Sequence, residues 1–144
     1  MTSTFMRSTL AALACATALA FASPSMAAMV NLKADLKAAS EVPPNDSKAT
    51  GSVTATYDTA SKKLSWKGST SGLSGPATAA HFHAGEAGKN GGVVVPITGA
   101  DKASFEGSAT LTDAQAADVM GGKWYVNIHT AANKGGEIRG QLTK

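Results

Sequence analysis

The chain has 144 residues, 43% of them apolar, with 13 Lys plus Arg against 10 Asp plus Glu and a formal net charge of +3. The lysines are scattered, without the basic runs and interleaved aromatics that a phosphate-tracking surface requires, so the charge does not indicate nucleic acid. Cys15 is the only cysteine, and G-x-S-x-G, phosphate-loop and dinucleotide fingerprints are absent, so nothing supports disulfides, a nucleophilic mechanism or nucleotide chemistry.

Residues 1–27 read as a cleavable secretory signal peptide. Arg7 supplies the positive start, Thr9 to Ala22 the apolar stretch, and Ser25-Met26-Ala27 the small-x-small cleavage pattern. The apolar stretch is too short to span a bilayer. Its Cys15 as an acylated lipoprotein residue is the alternative. The expected location is the bacterial periplasm or the exterior. Residues 28–144 then form a single domain without cysteine, so a soft-metal site there must use histidine or methionine.

Short alternating runs follow, separated by turn residues, as in a sandwich or barrel. Val30 to Leu36 alternates, with Val30, Leu32, Ala34 and Leu36 inward. Glu41-Val-Pro-Pro44 cannot join a ladder, and Glu41 reads as a solvated loop acid. Strands are predicted around Ser52 to Tyr57 and Lys63 to Ser69, then from Thr78 to Ala84. Gly85 to Gly92 is the most glycine-dense stretch, either a mobile hairpin loop or a rim beside His83. Val93 to Pro96 and Ala103 to Leu111 are further strands. Thr112-Asp-Ala-Gln115 is a capping box that opens a short helix, which Gly121-Gly122 stops. Trp124 to Thr130 and Gly136 to Leu142 complete eight strands. Trp66, Phe82, Phe105 and Trp124 are expected in the core.

All three histidines fall in these strands, at His81, His83 and His129. Strand side chains alternate faces, so His81 and His83 share one face and Tyr125, Asn127 and His129 share another. If the two strands are neighbours, three imidazoles converge on one patch. Residues two apart lie roughly 6.5–7 Å apart and neighbouring strands about 4.8 Å, within reach of a common ion. Ordinary solvated histidines are the plain alternative. Three neutral imidazoles suit copper first and zinc second. Glu86, Glu137, Met120 or Met29 is a candidate fourth ligand, with water as another. Glu137, Arg139 and Asn127 are candidates for orienting the rings, and the alternative for Glu137 and Arg139 is an exposed cross-strand ion pair.

Glu41-Val-Pro-Pro44, Gly72-Leu-Ser-Gly75, Ala80-His-Phe-His-Ala-Gly85, Trp124 to Thr130 and Gly135 to Leu142 together resemble the chordin-type (CHRD) domain, from about Leu32 to Leu142. The resemblance implies an extracellular module, named from a growth-factor antagonist. A weaker resemblance links His81-Phe-His-Ala-Gly-Glu86 to the copper-binding strand of Cu/Zn superoxide dismutases, and implies a Greek-key sandwich with a three-histidine copper site. Here the glycine comes two residues after His83 rather than three, and no fourth histidine exists to bridge to zinc. The expected function is copper buffering, delivery or tolerance. A protein-interaction or adhesion module with incidental histidines is the second hypothesis, and a copper-dependent redox enzyme the third.

Overall fold

The computed structural model describes residues 26–144; the leader reading, Cys15 included, lies outside them apart from Met26 and Ala27. Eight strands carry the fold: β1 (Met29–Lys37), β2 (Thr50–Asp58), β3 (Lys63–Ser71), β4 (Ala77–Ala84), β5 (Val93–Pro96), β6 (Ser104–Thr110), β7 (Trp124–Thr130) and β8 (Ile138–Gln141). Among the described residues one α-helix, α1 (Asp113–Met120), links β6 to β7, and a single 3-10 turn, Ala38–Ser40, follows β1.

Alternation dictates the layers. In β1, Leu32, Ala34 and Leu36 are buried while Lys33 and Asp35 between them are exposed. The strands are antiparallel in the order β5-β4-β7-β8-β1-β2-β3-β6. β6 returns beside β3, and β7 beside β4, across intervening elements, which is a Greek-key pattern. Two four-stranded halves result, β5-β4-β7-β8 and β1-β2-β3-β6, joined where Lys37 pairs with Arg139. The halves close on one core. Trp66 of β3 meets Phe82 of β4 edge-on at 5.0 Å between centroids, and Phe82 leans on Trp124 at 5.9 Å. Burying each such ring contributes roughly 1.5–3 kcal/mol. Glycine makes room for one of them: a Cβ on Gly107, which pairs with Trp66, would come within 2.6 Å of that indole.

The capping box forms as the sequence predicts. Gln115 N–H donates to Thr112 Oγ1 at 3.2 Å, and Thr112 N–H donates to Gln115 Oε1 at 2.9 Å. Replacing Thr112 with alanine should cost about 1 kcal/mol of stability, measured by denaturant unfolding, without touching the β7 histidine. Among the described residues no helix is long and apolar enough to cross a membrane.

The predicted elements and the observed ones differ at β8. Gly136 turns the chain at φ 129°, so the strand begins at Ile138 rather than at Gly136. A larger difference concerns the outward faces of β7 and β8. These are largely covered: Tyr125, Asn127 and Arg139, with Glu137 just ahead of β8, are buried beneath the segments that precede β2 and β5, while His129 stays half-buried.

Candidate metal centre

β4 and β7 are neighbours, paired His81 with Asn127, His83 with Tyr125 and Ala79 with His129. His81, His83 and His129 therefore project from one face, each offering a nitrogen, all within 4.8 Å of one another. His81 Nδ1 lies 3.3 Å from His129 Nε2. Two backbone carbonyls fix the other rings. His83 Nδ1 donates to Gly91 O at 2.9 Å, and His129 Nδ1 donates to Lys134 O at 2.9 Å. A carbonyl only accepts, so in each neutral ring the proton sits on Nδ1 and the lone pair on Nε2. Orientation of this kind, through the non-coordinating nitrogen, is what holds histidine ligands in metal sites.

His83 Nε2 is buried and has no hydrogen-bond partner. A buried lone pair left unpaired is costly, and a cation shared with the neighbouring imidazoles would satisfy it. Burial holds the His83 ring below the ordinary histidine pKa, opposed in part by its bond to Gly91 and aided by the charges of His129 and Arg139. Burial first, then mutual repulsion with His129 and His83, does the same for His81. Both rings are thus kept in the neutral form that a metal needs.

The surroundings correct several readings made from sequence. Glu137 and Arg139 form no ion pair with each other. Glu137 is fully buried and takes hydroxyl bonds from Ser47, Ser74 and Thr130. The Arg139 guanidinium carbon lies over Tyr125, 3.4 Å from the ring centroid. It donates to Asn90 Oδ1, to Glu86 O and to Lys89 O. His83 stacks on the same tyrosine at 4.8 Å, and since β7 lies between β4 and β8, Tyr125 separates imidazole from guanidinium.

Residues 85–92 are therefore a bonded rim beside His83, not a free hairpin. Gln141 adds a bond to Gly85 O at 2.9 Å, and Asn90 Nδ2 donates to Val42 O at 2.8 Å. Glu41, read as a solvated loop acid, is buried at 5% exposure. Asn127 is buried on the histidine face, and its Nδ2 donates to Gly135 O at 3.4 Å.

As for a fourth ligand, the structure gathers no carboxylate with the imidazoles among the described residues. The Glu86 side chain is exposed and Glu137 is engaged by hydroxyls. Met120 packs against the hydrophobic core from α1, and Met29 is exposed at the start of β1. Two surface hollows, of about 570 and 410 Å³, lie on the β3–β6 side and contain no histidine.

Sequence reasoning missed Gly91 O, Lys134 O and Glu41. The Tyr125 stack was within reach, since Tyr125 shares the phase of His129.

Fold and cluster together define a small Greek-key β-sandwich protein with a candidate three-imidazole centre on one outer face. The family model for the CHRD domain matches residues 32–142, and the chain belongs to that family. No curated protein and no solved structure matches the chain, so the dismutase resemblance stands on sequence spacing alone.

Proposed function

We propose that the protein is exported to the periplasm or the exterior and binds copper through His81, His83 and His129, serving metal buffering, delivery or tolerance. The observation that supports this best is the cluster itself: three ligand nitrogens within 4.8 Å, two of the rings turned by backbone carbonyls. Cysteine-free residues 28–144 leave imidazole as the natural soft-metal donor, and copper binds such donors more tightly than zinc. His83 is buried while His81 and His129 remain partly exposed, so one side stays open to water or an incoming ligand. An open side suits exchange of the ion with a partner.

Metal content and affinity of the wild-type chain and His83→Ala, challenged with equal copper and zinc, test the reading. About one copper per chain, lost in the variant, is expected. Equal metal in both proteins, or none in either, would sink it and return attention to a protein-interaction role. Copper-dependent turnover of superoxide beyond that of free ion would instead indicate an enzyme.

The pH dependence carries a sign. Protons compete with the metal only below a ring's own pKa, and those of His81 and His83 are lowered. The part of the affinity loss owed to His81 and His83 should therefore fall below the ordinary histidine range near 6.5. Competition titrations against a chelator across that range would show it.

A further inference from the structure

Of the asparagines in the chain, only Asn90 is followed by glycine. Asn31, Asn45, Asn127 and Asn133 precede leucine, aspartate, isoleucine and lysine, whose side chains crowd the next backbone nitrogen. A glycine nitrogen is unshielded, and its backbone turns freely. It is the nitrogen best able to reach the side-chain carbonyl carbon of the residue before it. Asn90 is exposed and lies in the irregular segment between β4 and β5, outside any ladder. We infer that Asn90 is a site of spontaneous deamidation, closed by the Gly91 nitrogen, and that the change loosens the rim around His83.

The fold explains why this pair is present. A Cβ at position 91 would overlap the carbonyl oxygen of Ala84, so packing demands glycine there. Position 90 needs a donor and an acceptor on one short side chain. Asn90 Nδ2 donates to Val42 O at 2.8 Å, and Oδ1 accepts from Arg139 Nη1 at 3.0 Å. These two requirements fall on adjacent residues and place a reactive pair at the surface.

The same contacts suit the reaction. Gly91 N gives its proton to solvent and bonds to Asn90 Cγ, which turns the amide oxygen into an oxyanion. Arg139 Nη1 already donates to that oxygen, and such a donor holds more strongly as charge gathers. The Cγ–Nδ2 bond then breaks, a proton returns from solvent, and ammonia leaves a cyclic succinimide. Water adds to either ring carbonyl, and the ring opens to aspartate or isoaspartate. The net change takes up water and releases ammonia.

Both products alter the rim. Aspartate cannot donate to Val42 O, so the tie to the segment after β1 is lost. Isoaspartate inserts a methylene into the backbone immediately before Gly91. The Gly91 carbonyl receives His83 Nδ1 and its N–H donates to Tyr125 Oη, so both bonds are displaced. The chemistry needs no metal and stands whatever the imidazoles bind.

Peptide mass mapping of the wild-type chain tests this, folded in mildly alkaline metal-free buffer beside the same chain unfolded in guanidinium. Conversion should appear at Asn90 ahead of every other asparagine, as both aspartate and isoaspartate. The folded rate should stay within about tenfold of the unfolded one. Closure gives up the bonds to Val42 and Tyr125, and the Arg139 bond offsets them by becoming charge-assisted. A folded chain that converts more slowly than that, or first at another asparagine, overturns the inference. The isoaspartate fraction separates by its added negative charge. Its nitrogen spectra should show His83 Nδ1 without a carbonyl partner, and an unchanged ring would overturn the link to His83.

Discussion

Replacing Glu137 with alanine should remove about 3–5 kcal/mol of folding stability, a large share of what a single domain holds. Both carboxylate oxygens are fully engaged. Oε2 accepts from Ser74 Oγ and Thr130 Oγ1, each at 2.6 Å, and Oε1 from Ser47 Oγ at 2.7 Å and Ser74 N at 2.9 Å. One acid thus ties together the segment before β2, the loop before β4 and the end of β7. Asn45 Nδ2 adds a bond to Glu137 O at 3.0 Å. Alanine would leave the Ser47, Ser74 and Thr130 donors without their carboxylate, the Thr130 hydroxyl in a buried place, while the Asn45 bond to the backbone would remain.

Acid should unpick the same knot. Burial pushes the Glu137 carboxyl upward, but the bonds from Ser74, Thr130 and Ser47 outweigh it and bring the pKa from 4.5 down to about 2. The folded pKa lies below the unfolded one, so the stabilisation is present above pH 4.5 and lost as pH falls toward 2. The shift corresponds to about 3 kcal/mol. Glu137→Gln has no proton to take up there. Guanidinium unfolding followed from neutral pH into that acid window should show a falling limb in the wild type and a flatter one in the variant. An acid limb equally steep in both would place the acid sensitivity elsewhere.

What the sequence reveals and what it hides divide along physical lines. The period of two in β1 follows from burial of one face, so Leu32, Ala34 and Leu36 declare the core in advance. The phase of His81, His83 and His129 is equally local, and adjacency of β4 and β7 completes the cluster. Phase tells which side chains leave the sheet together; it does not tell whether water meets them. Tyr125, Asn127, Glu137 and Arg139 share an outward phase, yet loops without periodic pattern fold over them. Glu41 sits in such a segment, ahead of two prolines, and nothing local announces its burial. Arg139 did carry a signal: it is the only arginine after Arg7 in a chain that otherwise uses lysine. A rigid fork that serves several acceptors at once suits a buried anchor better than a lysine would.

The rim offers the sharpest test of how loop and site are joined. Gly91 N donates to Tyr125 Oη at 3.1 Å, and Gly91 O receives His83 Nδ1. A Cβ at Gly91 would overlap the carbonyl of Ala84, so alanine there must displace backbone rather than a flexible tip. Gly91→Ala should therefore release the His83 ring and lower copper affinity by 10–100-fold, the range typical for losing a partner that orients a ligand. Gly92→Ala is the matched control, since a Cβ there meets nothing within 4 Å. It should bind copper within about twofold of wild type. Competition with a chelator measures both, and nitrogen chemical shifts of His83 report whether the proton still sits on Nδ1. If the two alanines behave alike, the carbonyl of Gly91 is dispensable and β4 alone orients His83. A loss confined to Gly91→Ala would make the rim part of the site, because the same loop, given the same added methyl one residue on, would leave the imidazole held.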